Sequence, residues 1–377
     1  MRICIIVRIL WPGGVQRIAF AEAEGLKNLG NEVDLIFIRS TKKYIYDSNV
    51  NYHVIYGDKI SNRLLGRIFK KITLHYLPQR GEDSSVDIDL IYKTEHSIKK
   101  KYDIIYYFDE FSAFFQKHNK KKFGNKSVVL IHEVAAQDKS KLLRFVQWFS
   151  MKNADIVLTN SEENLIYLKE LRIKNSFKIY PGLVPHADLP SFENKEDIAL
   201  SVTMWDYGRK PEVLLEIARF MKYGKMLIVG SWTDNKYMEK IMESIEKSKL
   251  MDKITVTGPI SENDLINLYK RAKVSIRFGF DEKGPGMGSL ESISWGLPII
   301  INQGIGIKEV VKDGINGYIV NEKYPQQIAN LICDLFKDQN KWSFISNQNL
   351  ILQNELSWDK HCQKLNSVFK NLYLLNE

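Results

Sequence analysis

The sequence predicts an α/β protein with two Rossmann-like, doubly wound domains in series. Apolar runs of strand length alternate with helices of amphipathic spacing, and this alternation begins twice, at Ile3–Leu10 and again at Ile198–Met204. The chain has 377 residues, which is more than one hydrophobic core usually serves, so two domains are expected. We place the first domain at residues 1–185 and the second at 198–355, with their strand ends facing across a cleft.

The first half opens with a β-strand, a turn and a helix. Ile3–Leu10 is the strand, Pro12-Gly13-Gly14 is the turn, and Val15–Leu29 has the spacing of a helix that ends before Gly30. Val33–Ile38 is the second strand. Gly13 and Gly14 therefore follow the carboxyl end of a strand, where open α/β sheets bind ligands. A tight turn with no ligand would explain them as well.

Further strands follow, and one of them ends in a histidine. The predicted strands are Asp103–Tyr107, Ser127–Ile131, Asp155–Thr159 and Lys178–Tyr180. His132 comes directly after the second of these, which suits a ligand contact and suits a packing or capping role equally. Residues 185–197 are rich in Pro, Asp, Glu and Asn and are interpreted as the linker between the domains.

The second half repeats the alternation. The predicted strands are Ile198–Met204, Lys225–Val229, Ile254–Thr257 and Val274–Arg277, and the predicted helices are Glu212–Met221, Met238–Leu250 and the one capped by Ser261 through Lys270. The loop after the first of these strands carries two adjacent cations, Arg209 and Lys210. Fixed cations beside a helix N-terminus can neutralise a leaving diphosphate.

The stretch from Phe278 to Val320 suggests a nucleotide site. Glycines 284, 286 and 288 form a turn, a helix around Glu291 follows, and Ile299–Ile301 is suited to a buried parallel strand. Glycines let the backbone approach a ligand, and the amides of a helix N-terminus attract an anion. Glu291 could bind the two hydroxyls of a ribose. Glycine turns are common, however, and a glutamate in a first helical turn is also a favoured capping choice.

Composition limits the class of protein. The net charge is +9 and the pI is near 9.1, which indicates an anionic partner, although solubility or a basic proteome would also account for them. The three cysteines form no CxxC pair, no HExxH is present, and no acidic pair is convincing as a metal site. No nucleic-acid reader module is visible. No run of 18 apolar residues occurs, and we expect a cytoplasmic protein.

One segment is suited to a membrane surface. Residues 62–77 place apolar side chains on one face of a predicted helix and cations on the other, a pattern found in helices that lie on anionic membranes. Packing of the apolar face on the domain would explain the same pattern. Lys117–Lys126 and Lys141–Phe149 add further cations and aromatic residues. We therefore expect a peripheral location on the inner face of the membrane as a second possibility beside a purely soluble protein.

The order of these elements resembles the GT-B glycosyltransferases, and within them the retaining family 4, also described as glycosyl transferases group 1. The resemblance covers nearly the whole chain except residues 40–100, and it is most specific in VTGPISENDLINLYKRAKV at 256–274 and GLPIIINQGIGIKEVVKDGINGYIV at 296–320. Other matching segments are the glycine turn at 13–17, VVLIHE with His132, TNSEENLIYL at 159–168 and PGLVPHAD at 181–188. SWDKHCQKL at 357–365 resembles the family's terminal helix, which implies that residues 356–377 cross back to the first domain.

The resemblance implies a retaining transfer from a nucleotide-sugar donor, a UDP- or GDP-sugar, to a hydroxyl acceptor, for which a lipid-linked or cell-surface glycan is our expectation. No cofactor or metal is expected. The implied catalytic residues are His132, Glu282, Arg209 and Lys210. The implied donor-binding residues are Gly13, Gly14, Gly258, Ile260, Lys283, Gly284, Gly286, Met287, Gly288, Ser289 and Glu291.

Two positions depart from the family pattern. The family's first glutamate aligns with Lys283, and Glu282 lies one residue earlier. Either Glu282 still contacts the sugar hydroxyls or Lys283 replaces it, and a lysine cannot accept hydrogen bonds from hydroxyls. Trp205 stands where the family often has its diphosphate arginine, so Arg209 would supply that charge. These departures keep two alternatives open: a weakly active or non-catalytic membrane-peripheral protein that binds nucleotide sugars, and a sugar-nucleotide epimerase.

Overall fold

The computed structural model describes residues 1–11, 13–40, 49–59, 64, 68, 87–132, 141–187, 189–280 and 282–374. Contacts between Cα atoms divide the chain into two compact units. Unit 1 comprises Met1–Gly182 and Trp358–Glu377, and unit 2 comprises Leu183–Ser357. Each unit is built on a parallel β-sheet.

The described part of unit 1 contains a seven-stranded sheet in the order β3-β2-β1-β4-β5-β6-β7. The strands are β1 (Arg2–Leu10), β2 (Glu32–Ser40), β3 (Tyr52–Val54), β4 (Ile104–Tyr107), β5 (Lys126–Ile131), β6 (Ile156–Thr159) and β7 (Ser176–Lys178). The helices are α1 (Gly14–Asn28), α2 (Ile88–Ser97), α3 (Lys117–Phe123), α4 (Lys141–Asn153), α5 (Glu162–Glu170) and, from the end of the chain, α12 (Trp358–Leu374). The strand order reverses between β1 and β4, so the loop with Gly13 lies at the switch point of this sheet.

The last helix packs against the first helix of unit 1. The side chain of Asn31, just after α1, donates to Asn366 Oδ1 at 3.0 Å. His361 Nε2 lies 2.8 Å from Glu22 Oε1, and both side chains are buried. A Cβ on Gly25 would collide with Cys362, so only glycine allows this close approach of the two helices.

The described part of unit 2 contains a six-stranded sheet in the order β10-β9-β8-β11-β12-β13. The strands are β8 (Glu196–Val202), β9 (Lys225–Val229), β10 (Ile254–Gly258), β11 (Ala272–Arg277), β12 (Ile299–Asn302) and β13 (Gly317–Val320). The helices are α6 (Glu212–Phe220), α7 (Asn235–Lys247), α8 (Glu262–Arg271), α9 (Met287–Ser294), α10 (Pro325–Lys337) and α11 (Gln339–Glu355). The strand order reverses between β8 and β11, which places a second switch point there.

Both faces of this sheet are covered. Ile198 and Leu200 of β8 pack in one buried cluster, while Ala199 between them packs in the other. Strands buried on both faces are typical of parallel sheets, and they explain the continuous apolar runs in the sequence. The predicted α/β, doubly wound class is confirmed.

Some boundaries differ from the prediction. Helix α7 begins at Asn235 rather than Met238, because the Asp234 side chain caps it by accepting a hydrogen bond from the Lys236 amide at 2.9 Å. It ends at Lys247 rather than Leu250, and Lys249 adopts a left-handed φ of 54°. Strand β7 spans Ser176–Lys178 rather than Lys178–Tyr180, since its register is set by pairing with β6.

The predicted membrane-surface helix at 62–77 lies outside the described residues, except for Leu64 and Ile68. Both of these are helical and exposed. Among the helices that the structure describes, none combines the length and the apolar character needed to cross a membrane.

Candidate functional site

The candidate site of unit 2 is formed by the loops that follow β8 and β11. These strands are neighbours at the switch point of the sheet, and ligands of open α/β sheets bind beyond the carboxyl ends of such strands. The loop after β8 carries Arg209 and Lys210. The loop after β11 carries Glu282, Lys283 and the glycine turn, and it leads into α9. The fold therefore brings the predicted cations of unit 2 and the predicted glycine turn to one edge of one sheet.

The glycine turn is held against a second loop. The backbone amide of Gly279 donates to Asn302 Oδ1 at 3.1 Å, which ties the start of the turn to the end of β12. A Cβ on Gly306 would collide with the carbonyl oxygens of Lys283 and Gly284, so the two loops touch through their backbones. This contact fixes the turn that precedes α9.

Helix α9 begins directly after the turn, with Gly286 at its N-cap. A Cβ on Gly288 would lie 2.6 Å from the carbonyl oxygen of Val202, so the glycine lets the first turn of the helix approach the end of β8. The first amides of a helix have no partner within it, and its N-terminus favours an anion. The Ser289 hydroxyl is buried here and has no hydrogen-bond partner among the described residues.

Glu291, the predicted ribose ligand, lies one turn further along α9. Its Oε2 accepts a hydrogen bond from the hydroxyl of Tyr269 at 3.1 Å. The Tyr269 side chain is buried, and its ring stacks near Trp295 with centroids 6.4 Å apart. A packed aromatic ring therefore orients the Glu291 carboxylate.

Glu282 lies between two arginines. Its Oε2 is 2.8 Å from Arg209 Nη1 and 2.9 Å from Arg277 Nη2, and Oε1 is 3.2 Å from the same Arg277 nitrogen. Only 15% of the Glu282 side chain is exposed. Both carboxylate oxygens therefore face guanidinium groups.

Lys210 has a different environment from Arg209. Its ammonium lies 3.9 Å from the centre of the Phe280 ring, which is a cation–π contact. Its backbone φ is 43°, a left-handed conformation that costs a non-glycine residue about 1–2 kcal/mol. Strained residues of this kind cluster at functional sites.

Trp205 is a core residue. It is 2% exposed, and its indole N–H donates to the carbonyl of Val229 at 3.0 Å. Its ring stacks on Trp232 with centroids 5.8 Å apart. Trp205, where the family resemblance expects a diphosphate arginine, therefore belongs to the hydrophobic interior. The next cations along the sequence are Arg209 and Lys210.

The remaining predicted residues lie at other strand ends. Gly258 ends β10 with a left-handed φ of 67°, and a Cβ there would meet no atom within 4 Å. Ile260 packs on the buried cluster that contains Tyr269. Gly13, Gly14 and His132 belong to unit 1, where Gly13 is the N-cap of α1 and the His132 carbonyl accepts from Asn164 at 3.1 Å.

Three residues of unit 2 that contact the predicted site residues were not themselves predicted from the sequence: Tyr269, Arg277 and Phe280. Arg277 could have been noticed, because it is a charged residue at the end of a predicted strand, shortly before the glycine turn. Tyr269 and Phe280 gave no such signal, since an aromatic residue in a helix or after a strand is ordinarily a packing residue.

Within the described ranges, no group of three or more His, Cys, Asp or Glu side chains is arranged to hold a metal ion.

Comparisons with known proteins show which family and fold this chain is similar to. Residues 187–351 match the family model of glycosyl transferases group 1. The poly(glycerol-phosphate) alpha-glucosyltransferase of Bacillus subtilis is 29% identical over 125 residues, which cover 33% of this chain and 18% of that protein. The aligned part is thus less than a fifth of that relative.

Solved structures match over nearly the whole chain. The crystal structure of Anabaena HepE in complex with UDP and glucose has a TM-score of 0.77 at 14% identity, covering 98% of this chain and 100% of that one. Sucrose-phosphate synthase from Thermosynechococcus elongatus has a TM-score of 0.75 at 19% identity, covering 99% of both chains. At these identities the likeness concerns the fold, which is GT-B. Residues 187–351 of this chain are thus similar to the glycosyl transferases of group 1, within a chain that has the GT-B fold.

Proposed function

We propose that this protein transfers a sugar from a nucleotide-sugar donor to a hydroxyl acceptor, with retention of configuration and without a metal. The observation that carries the proposal is the grouping of Arg209, Lys210, the N-terminus of α9 and Glu291 at the switch point of unit 2. The family match of residues 187–351 supports it.

Each group has a role that its chemistry suits. Arg209, Lys210 and the backbone amides of Met287, Gly288 and Ser289 would bind the diphosphate and stabilise the charge that develops as it leaves. Glu291, oriented by Tyr269, would accept hydrogen bonds from the ribose hydroxyls. Gly258 and Ile260 would lie beside the base.

The residues of unit 1 keep the roles that the family resemblance implies. Gly13 and Gly14 would approach the donor phosphate, and His132 would face the donor sugar. No protein nucleophile is proposed, and the leaving phosphate would act as the base for the acceptor hydroxyl.

UDP is the first choice of nucleotide, because the HepE structure contains UDP. The first experiment is a thermal-shift titration with UDP, GDP, ADP and their common sugar conjugates, each in EDTA. A ligand at 100 times its Kd stabilises by about 2.7 kcal/mol, which is readily measured. We expect one base to stabilise the protein clearly, and a lack of response to all of them would contradict the proposal.

Variants then test the site. Glu291→Ala and Lys210→Ala should abolish transfer, while Lys249→Ala, which changes an exposed lysine beyond α7, should leave it intact. Wild-type rates in both site variants would refute the assignment. Nucleotide binding without transfer to any acceptor would favour the non-catalytic alternative, and loss of the nucleotide sugar in the absence of an acceptor would favour an epimerase.

A peripheral membrane location, with a lipid-linked acceptor, is supported by helix α4 as well as by the sequence at 62–77. Lys141, Phe145, Trp148 and Lys152 recur at helical spacing on its exposed side, and Phe145 and Trp148 are 50% and 39% exposed. Aromatic side chains flanked by lysines suit the interface of an anionic bilayer.

Co-sedimentation with vesicles tests this surface. The wild type should bind vesicles that contain phosphatidylserine at low salt and release them at high salt. Phe145→Ser with Trp148→Ser should weaken binding, whereas Phe344→Ser, at an equally exposed position of unit 2, should not. A wild type that ignores anionic vesicles at low salt would eliminate the membrane proposal.

A further inference from the structure

Arg277 is a buried cation whose position no simple packing requirement explains. It is the last residue of β11, and its side chain is 5% exposed. One guanidinium nitrogen bonds the backbone carbonyl of Phe278, and the other donates to both oxygens of Glu282. Burial lowers the pKa of Arg277 to about 10, so the group stays charged at neutral pH. A buried charge is stable only when it is paired and hydrogen-bonded, and Glu282 provides that pair.

Glu282 carries a second guanidinium on its outer side. Arg209 Nη1 lies 2.8 Å from Oε2, and the Arg209 side chain is 20% exposed. The three side chains therefore run from the interior to the surface as Arg277, Glu282 and Arg209, with an excess of one positive charge. The Arg209 Nε atom has no hydrogen-bond partner among the described residues, so this arginine keeps a donor that Glu282 does not use.

This arrangement gives Glu282 a different task from the one its place in the sequence suggests. A carboxylate whose two oxygens accept from two guanidinium groups has little remaining capacity for sugar hydroxyls. A guanidinium that is held at one edge, by contrast, is preorganised to bind an anion with its other donors. Preorganised donors stabilise a developing negative charge more effectively than mobile ones.

We infer that Arg277 is a positioning residue: it fixes the Glu282 carboxylate, which in turn holds the Arg209 guanidinium at the diphosphate of the donor. The inference rests on the proposed function, because it assumes that a nucleoside diphosphate binds at this switch point. We call this series of contacts, from Arg277 through Glu282 to Arg209, the relay. In it, Glu282 positions Arg209 and is not a ligand of the sugar.

Reciprocal substitutions on β11 test the relay. Arg277→Lys keeps the charge but loses the planar fork that contacts Glu282 with one nitrogen and the Phe278 carbonyl with the other. Lys273→Arg is the matched control, because Lys273 is also a buried cation of β11 and pairs with Asp197 at 2.7 Å, away from the glycine turn. Glu282→Gln and Arg209→Ala complete the set, together with the double variant of Arg277→Lys and Arg209→Ala.

The readout is the affinity ratio of a nucleoside diphosphate to its monophosphate, measured by calorimetry with UDP and UMP and with GDP and GMP. For the base that binds, we expect Arg277→Lys, Glu282→Gln and Arg209→Ala each to weaken the diphosphate about tenfold while the monophosphate changes less than twofold. The double variant should be no weaker than Arg209→Ala alone, because the relay acts only through Arg209. Lys273→Arg should leave the ratio unchanged.

Other results overturn the inference. Equal losses for diphosphate and monophosphate would mean that Arg277 only stabilises the fold, and additive losses in the double variant would mean that it does not act through Arg209. Tighter diphosphate binding in Glu282→Gln would mean that the carboxylate competes with phosphate. If the wild type binds no nucleotide, the proposed function fails and this inference fails with it. If the wild type binds the nucleotide normally and Arg277→Lys leaves the affinity ratio of diphosphate to monophosphate unchanged, the relay is refuted and the proposed function is not.

Discussion

Trp205 and Arg277 illustrate how far single residues can be interpreted from their place in a sequence. Trp205 stands where the family resemblance expects a cation, and its side chain belongs to the core of unit 2, stacked on Trp232. Arg277 stands at the end of a buried strand, and its guanidinium pairs with Glu282. Neither environment follows from residue type or spacing, because each depends on a partner that is distant in the chain or on the far side of a turn. The role proposed for Glu291 likewise depends on Tyr269, and the role proposed for Glu282 depends on Arg209 and Arg277.

Lys210 leads to a prediction at the scale of one residue. Its left-handed backbone is strained, and glycine at this position would relieve the strain and raise the free energy of unfolding by up to about 1 kcal/mol. Lys210→Gly would also remove the ammonium that we propose for the diphosphate. We therefore expect a variant that is at least as stable as the wild type in urea unfolding and that binds UDP at least tenfold more weakly in calorimetry.

Lys249→Gly provides the control for that prediction, because Lys249 is also left-handed, with a φ of 54°, and follows the end of α7. It should gain similar stability and bind UDP as the wild type does. Wild-type affinity in Lys210→Gly would show that the Lys210 ammonium does not contribute to UDP binding.

At the scale of the element, the strands were the most predictable part of the fold. Runs such as Ile3–Val7 and Ile299–Ile301 are buried on both faces, so their apolar character is continuous. Helix α2 was not predicted, because its buried side includes Thr94 and Glu95 and so lacks a plain apolar stripe. The start of α7 was placed three residues late, because a cap is set by one side chain and not by the pattern of many.

A buried histidine of α12 joins this helix to α1. His361 Nδ1 lies 2.6 Å from the carbonyl oxygen of Tyr180, and its Nε2 lies 2.8 Å from Glu22 Oε1. The pair is buried, and removing one partner of a buried pair is strongly destabilising.

We expect His361→Ala to lower the free energy of unfolding of unit 1 by about 3 kcal/mol. Hydrogen exchange should show lost protection in residues 14–28 and 358–374, the two helices that the pair joins. His96→Ala, which changes a histidine at an exposed hydrogen bond of the same unit, should have little effect. Unchanged protection of both helices in His361→Ala would mean that the other contacts of α12, such as that of Asn366 with Asn31, are enough to hold it in place.

At the scale of the whole molecule, the two units carry different kinds of ionisable groups. Glu95 and Glu110 are among the glutamates that unit 1 buries inside its own core. Burial raises the pKa of Glu95 to about 7, although hydrogen bonds from Tyr107 oppose the shift. Burial, helped by the charge of Asp109, likewise raises the pKa of Glu110 to about 7, against a hydrogen bond from Gln147. The candidate diphosphate site, with its cations, lies in unit 2. Changes of pH and additions of nucleotide should therefore act on different parts of the chain.

The sign of the pH effect follows from proton linkage. A glutamate of the unfolded chain ionises near pH 4.5, whereas folded Glu95 and Glu110 keep their protons up to about pH 7. Between these values the folded state binds more protons than the unfolded state, so stability falls as the pH rises. Once the pH is above 7, each buried carboxylate costs up to about 3 kcal/mol relative to its protonated form.

We therefore expect the wild type to lose stability in unit 1 between pH 5 and pH 8, and Glu95→Gln to lose less, because its amide does not ionise. Glu170→Gln, at an exposed position of α5, should follow the wild type. Hydrogen exchange resolves the units: the pH change should reduce protection in residues 88–131, whereas UDP at constant pH should raise it in residues 203–210 and 282–294. If stability falls equally with pH in Glu95→Gln and in the wild type, Glu95 is ionised in the folded protein throughout this range. Its carboxylate would then be stabilised by a partner or by water, and not by Tyr107 alone.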